Sequence, residues 1–141
     1  MSEPTTKPVP RVTADSAEFW RFCAEGRLML RSCADCGNIF FYPRILCPAC
    51  MSSNLIWTQA SGAGTVHAVT IVHRAPGEAF RADVPYTVAL IDLAEGPRLM
   101  SNIVHYPPSD VHIGMAVRLV FEPRAEGIVI PQFTPVEGEA A

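Results

Sequence analysis

Four of the five cysteines form two close pairs, Cys33-Ala34-Asp35-Cys36 and Cys47-Pro48-Ala49-Cys50, with ten residues between the pairs. Two residues between sulfurs let a tight turn aim both at one ion, and two such turns complete a tetrahedron. Gly37, directly after the first pair, suits the backbone curl that such a knuckle needs. The stretch Met1 to Val12 is rich in Pro, Thr and charge and carries no apolar run of signal-peptide kind. The expected compartment is therefore the cytoplasm, where paired cysteines read as metal ligands rather than as a disulfide framework. Zinc is the common occupant of such a ligand set, and iron is the alternative that the same four sulfurs admit. Four thiolates leave no coordination position for water or substrate, so the ion is expected to be structural.

A metal matters here because the segment around it is small. Arg27 to Thr58 is a module of about 30 residues, too small to own a hydrophobic core, and a bound ion would supply the missing folding energy. Leu28-Met29-Leu30-Arg31 leads into the knuckles as a strand, Ile39-Phe40-Phe41-Tyr42 separates them, and Leu55-Ile56-Trp57 leads out. Arg31 and Arg44 lie near the ligands and could offset the site's negative charge, or be ordinary surface arginines. Upstream, Asp15 reads as a helix N-cap with Glu18 three positions on, and Gly26 sits where a helix-ending glycine belongs. Phe19, Phe22 and Cys23 share one face of the helix expected over residues 16–25. Cys23, on that apolar face, is most simply a small buried hydrophobe.

Beyond the patch Ser61-Gly62-Ala63-Gly64 the pattern is strand throughout. Val66–Val72, Tyr86–Leu93, Leu99–Val104, Val117–Phe121 and Ile128–Phe133 are rich in Val, Ile and Leu. Pro76-Gly77, Glu95-Gly96-Pro97, Pro107-Pro108-Ser109-Asp110 and Glu126-Gly127 mark the turns, and Asp110–Met115 could form a single helical turn. Five strands close most economically into a small OB-type barrel, which leaves no exposed strand edge. The fold class is thus mainly β: residues 1–26 as arm and helix, 27–60 as zinc ribbon, 61–134 as OB-fold barrel and 135–141 as a flexible tail.

The usual signatures of catalysis are missing. His67 and His73, six apart on one expected strand, would share a face yet sit about 20 Å apart. His105 and His112 are isolated, and neither a nucleophile turn nor a phosphate-binding glycine loop is present. No catalytic residue is assigned. Nucleic acid is a poor fit as well. The formal charge is −3, falling to about −5 with four thiolates and a divalent ion. From residue 59 onward five arginines face nine acidic residues. No apolar run is long enough to span a bilayer, so no membrane association is expected.

The order of the pieces is also distinctive. Phe19-Trp20 and Gly26-Arg27-Leu28 precede Arg31-Ser32-Cys33-Ala34-Asp35-Cys36-Gly37, then Pro43-Arg44, Cys47-Pro48-Ala49-Cys50 and Trp57. Gly62-Ala63-Gly64-Thr65-Val66, Val84-Pro85-Tyr86, Leu93, Gly96, Ile113-Gly114-Met115-Ala116-Val117 and Pro131-Gln132-Phe133 follow. Over residues 15–134 the chain resembles the OB-fold, rubredoxin-type zinc-ribbon proteins associated with acyl-CoA metabolism. The resemblance implies a non-catalytic accessory subunit that binds a thiolase-like enzyme and helps form its acyl-CoA site for C–C bond formation or cleavage. It implies a structural Zn2+ and an acyl-CoA ligand belonging to the complex. A stand-alone acyl-CoA enzyme of thioesterase or hydratase type is the first alternative, and a single-stranded nucleic-acid module the second. In the loop Arg74–Arg81, Arg74, Phe80 and Arg81 are the CoA-binding candidates, against the plainer reading of a solvated hairpin loop. Phe19, Phe22, Phe40, Phe41 and Tyr42 are the candidates for the partner interface, unless helix and ribbon satisfy them internally.

Overall fold

The computed structural model describes residues 7–136. The expected flexibility of residues 1–6 and 137–141 lies outside the described residues. One helix, α1 (Ala17–Ala24), precedes a three-stranded sheet of β1 (Met29–Cys33), β2 (Ile39–Phe40) and β3 (Leu55–Gln59), in the order β2-β1-β3. Five further strands follow: β4 (Ala63–Val72), β5 (Tyr86–Leu93), β6 (Arg98–Ile103), β7 (Ala116–Pro123) and β8 (Val129–Pro135). They close into a barrel in the order β4-β5-β6-β8-β7, with β7 returning to pair with β4. All neighbours are antiparallel except β6 and β8, which meet in parallel at Ile103 and Phe133. The mainly β architecture follows from alternation: Thr87, Ala89, Ile91 and Leu93 on β5 point inward while their neighbours stay half-exposed.

The helix is capped differently from the expectation. Asp15 is exposed and does not cap; Ser16 takes the N-cap position without a side-chain cap hydrogen bond, and Thr13 and Ser16 close the turn that precedes the helix. The Thr13 N–H donates to Ser16 Oγ at 2.9 Å and the Ser16 N–H to Thr13 Oγ1 at 3.3 Å, a reciprocal box one turn earlier. Glu18 is thereby free for another role, accepting the Trp57 indole N–H at 2.6 Å and tying α1 to β3. At the other end Gly26, with φ +79°, lets its N–H reach the Cys23 carbonyl and the Arg27 N–H reach Phe22, at 2.9 and 3.0 Å. That double bond is the Schellman arrangement, and it needs a residue without a Cβ penalty at positive φ.

The helix packs against β8 and β1, and the core runs without a break through all three regions. Phe19 and Cys23 of α1, Leu28 and Leu30 at the ribbon entrance, and Val66, Ile91, Leu99, Met115, Val117 and Phe133 of the barrel belong to one buried cluster. Burial pushes the Cys23 thiol up to about 12, so it sits there as an inert apolar group. Strand β8 runs to Pro135, and the Val136 N–H donates to the Ala116 carbonyl, so the chain is held one residue beyond the point where fraying was expected. His67 falls at a bulge in β4 between Val66 and Ala68, which breaks the period-two alternation, and His73 lies past the end of that strand. The two histidines therefore do not share a strand face.

Gly64 explains the glycine patch. A Cβ there would lie 2.6 Å from Ile91 Cγ2 and 3.2 Å from the Asp92 carbonyl oxygen, at the seam between β4 and β5. Gly64→Ala is expected to destabilise the protein by about 1–3 kcal/mol through overpacking, read as a lower midpoint in urea unfolding, whereas Gly77→Ala, which meets nothing within 4 Å, should change it far less.

Candidate functional site

The two cysteine pairs sit on matching turns. The Cys33 N–H donates to the Asn38 carbonyl and the Gly37 N–H to Cys33, each at 2.8 Å; the Cys47 N–H to Ser52 and the Met51 N–H to Cys47 repeat the pattern, also at 2.8 Å. Gly37 (φ +80°) and Met51 (φ +67°) occupy equivalent left-handed positions. The spacing therefore does what the sequence implies, aiming each pair of sulfurs from a tight knuckle.

The sulfurs converge. Cys33 and Cys50 Sγ lie 3.6 Å apart, as do Cys36 and Cys47, and all four sulfurs fall within 4.8 Å of one another. A tetrahedron with sulfurs about 2.3 Å from a central zinc has edges of about 3.8 Å, so the set fits one ion. A disulfide needs about 2.05 Å, and all five cysteines are free thiols. Each knuckle adds an N–H directed at sulfur: Cys36 to Cys33 and Ala49 to Cys47, both at 3.4 Å, with the Asn38 amide 3.8 Å from Cys47. Ser52 donates to the Asp35 carboxylate, which also accepts from the Asn54 amide, so the second knuckle is strapped to the first.

Electrostatics calls for a cation. Burial raises the Cys47 thiol, yet the N–H groups of Cys50 and Ala49, together with hydrogen bonds from the Cys36 and Cys50 thiols, outweigh it and lower the thiol to about 6. The Cys36 N–H is the largest influence lowering Cys33. Cys50 is eased downward by the Ser52 N–H, but the adjoining thiols and burial push it up to about 12. Four thiolates cannot ionise together at this spacing unless a positive ion sits among them. Among the described residues no other cluster of His, Cys, Asp or Glu is placed to hold one.

The remaining candidates are dispersed. Arg31 lays its guanidinium 4.1 Å above the Trp57 ring. Arg44 is exposed beside the second knuckle. In the loop before β5, Arg74 is exposed, Arg81 pairs with Glu78 at 2.9 Å, and Phe80 packs against Tyr86 with ring centroids 6.2 Å apart. The interface candidates divide. Phe19, Phe22 and Phe40 are buried within the chain, Phe41 is half-buried against Phe19, and Tyr42 is 56% exposed. Within this chain Phe19 packs into the shared core, Phe22 against Trp57, and Phe40, on β2, with Cys33, Cys47 and Leu55, so these three meet the alternative of internal packing. Sequence reading missed Ile45 and Met51, each 66% exposed beside the second knuckle. The missed signal was an apolar residue at the position where the first knuckle uses glycine. His67 lies 3.4 Å from Asp92, His112 faces the Asp110 carbonyl, and His105 stands alone at φ +60°. No helix among the described residues is long and apolar enough to cross a membrane.

Comparison with known proteins gives the same two modules. Residues 20–55 match the ChsH2 rubredoxin-like zinc ribbon domain and residues 57–122 the ChsH2 C-terminal OB-fold domain. A DUF35 domain-containing scaffold protein of Methanothermobacter thermautotrophicus is 39% identical over 116 residues, covering 80% of this chain and 86% of that one. A probable enoyl-CoA hydratase alpha subunit of Thermomonospora curvata is 33% identical over 129 residues, 92% of this chain. The chain spans only about two fifths of that subunit's length. Among solved structures, the Ltp2-ChsH2(DUF35) aldolase holds a chain that is 33% identical, with a TM-score of 0.82 over 90% of this chain and 98% of that one.

Metal removal is the direct check on this centre. Cys47→Ser is expected to abolish stoichiometric metal in elemental analysis and to lower the melting temperature. Chelation of the wild-type protein should expose β1–β3 to amide hydrogen exchange before the barrel strands.

Proposed function

The chain belongs to the DUF35 family, and from that premise we propose that it is a non-catalytic accessory subunit that binds a thiolase-like enzyme and helps form its acyl-CoA site for C–C bond formation or cleavage. The carrying observation is the coordinatively closed four-sulfur centre, which can shape a surface but offers no position for a reacting group. Cys33, Cys36, Cys47 and Cys50 would hold Zn2+, and the ion would supply folding energy alone. The names of the relatives, scaffold protein and aldolase complex, support the same role.

The ribbon offers the contact surface. Tyr42, Ile45 and Met51 present large apolar side chains to solvent next to the second knuckle. Met51 keeps an exposed side chain at a left-handed position where glycine would be cheaper. Covering such side chains is the usual source of association energy. A hydratase-type partner is the second reading, favoured by the match to a hydratase alpha subunit over 92% of this chain.

The test is co-purification from the native source, where a bound thiolase-like protein supports the first reading and a hydratase subunit the second. Recovery of the chain alone, with acyl-CoA turnover of its own, would sink both. Ile45→Asp with Met51→Asp is expected to weaken the complex about ten-fold or more while metal content and melting temperature stay unchanged. For the ligand, Arg74→Ala with Arg81→Ala should raise the acyl-CoA KM of the complex several-fold if the loop meets the CoA phosphates, and an unchanged KM retires that placement.

A further inference from the structure

Beside that loop, at one end of the barrel, lies a cavity of about 260 Å³ that the sequence does not announce. Its lining comes from residues as far apart as Lys7 and Gln132. Its polar side chains include Thr87 on β5, Asn102 on β6 and Gln132 on β8. The Asn102 amide donates to the Thr87 carbonyl at 2.8 Å and accepts from the Gln132 amide at 3.3 Å, which holds both amides in place. Thr87 is 1% exposed, and its hydroxyl has no hydrogen-bond partner. A buried hydroxyl left single costs stability, and such an orphan on a cavity wall calls for a ligand group.

The rest of the lining narrows the chemistry. Phe80, Tyr86 and Tyr106 contribute flat rings. The charged residues at the cavity are matched: Lys7 pairs with Asp83 at 2.6 Å, and Arg124 pairs with Glu122. Lys7 and Arg124 are thus both already paired rather than left to hold a phosphate or carboxylate, and His105, also in the lining, adds a ring that can donate or accept a hydrogen bond. A hydrocarbon skeleton would strand the amides and the hydroxyl. What satisfies all three conditions is an uncharged planar ring with donors and acceptors on its edge, stacked on aromatics and read by amide side chains. The volume is below the usual range of about 300–1,000 Å³ for sites enclosing a drug-sized ligand, so it suits a single ring system.

We infer that this cavity is a binding site for the heterocycle of a purine-type base, edge-bonded to Thr87, Asn102 and Gln132. The base could belong to a free nucleoside or to the nucleotide end of a CoA thioester. The second source rests on the acyl-CoA reading above, and the first does not. Either way the recognition set differs from Arg74 and Arg81 and shares only Phe80 with the loop proposed from sequence.

Calorimetric titration of the metal-loaded full chain with adenosine, coenzyme A and pantetheine separates the cases. Saturable adenosine binding is expected, weakened about five-fold or more by Thr87→Val, which keeps the side-chain shape and removes the hydroxyl. Phe80→Ala, on a surface turn, should weaken it as well. Competition between adenosine and coenzyme A assigns the base to CoA; adenosine binding without coenzyme A binding assigns it to a free nucleoside. Binding of pantetheine and coenzyme A but not adenosine overturns the inference while leaving the acyl-CoA reading standing. No adenosine binding up to millimolar concentration, binding indifferent to both substitutions with unchanged melting temperature, or salt-sensitive binding of single-stranded oligonucleotide in place of the nucleoside overturns it too.

Discussion

Mutual repulsion of four thiolates, resolved by one cation, is the constraint on which the ribbon depends. The apolar material around the knuckles is limited to Phe40 and the half-buried Leu55, packed on the sulfurs of Cys33 and Cys47. Fully burying one Phe is worth about 1.5–3 kcal/mol, far less than the entropy of ordering the knuckles and their connection. Apparent binding energies for structural zinc are about 10–16 kcal/mol, which is the scale required. The N–H groups at Cys33 and Cys47 and the Ser52–Asp35–Asn54 strap orient the ligands, but they cannot by themselves keep four sulfurs so close. A bound metal would thus be what gives the second knuckle, with Ile45 and Met51, a defined shape.

The helix does the complementary task of joining the ribbon to the barrel. Phe19 and Cys23 complete a core that also contains Leu28, Leu30 and Phe133, and Glu18 anchors Trp57 from the other side. Phe22 is enclosed by Trp57, with Arg21 and Arg27 lying 4.7 and 5.1 Å from its ring centre. Such cation–aromatic contacts add about 0.5–1 kcal/mol each at exposed sites and seal the edge of the core. The consequence for recognition is direct. A helix already bound on its apolar face has little of it to offer a partner, which is why the proposed contact surface lies among the exposed residues Tyr42, Ile45 and Met51.

These outcomes mark where sequence reasoning succeeds and where it stops. Cysteine spacing carries its own geometry, because two residues between sulfurs dictate a knuckle wherever they occur. Strand positions were legible for a related reason: Val, Ile and Leu at period two have one way to bury a face, and Tyr86–Leu93 matches β5 end to end. Local competition was not legible. Asp15-x-x-Glu18 satisfies a capping pattern, yet Ser16 takes the N-cap position and Glu18 accepts instead from Trp57, 39 residues away. The bulge at His67 reversed an argument that rested on strict alternation. Burial of Phe40 and exposure of Tyr42 depend on how β2 meets β1, which a run of four apolar residues does not encode. The cavity was the least visible feature, because Thr87, Asn102 and Gln132 are unremarkable alone and meet only once β6 and β8 lie side by side.

Two chemically opposite regions then coexist on one small chain. At the ribbon, apolar side chains stand in water and gain by being covered, which favours a protein surface as their counterpart. At the barrel, polar side chains are withdrawn from water and gain by being paired, which favours a small hydrogen-bonding molecule. A subunit needs both kinds of site if it is to hold an enzyme and also finish the wall of that enzyme's ligand channel. Neither site needs a nucleophile or an acid–base pair. On the proposed reading a metal could therefore be indispensable while taking no part in chemistry: it would fix the surface that places the barrel against a partner.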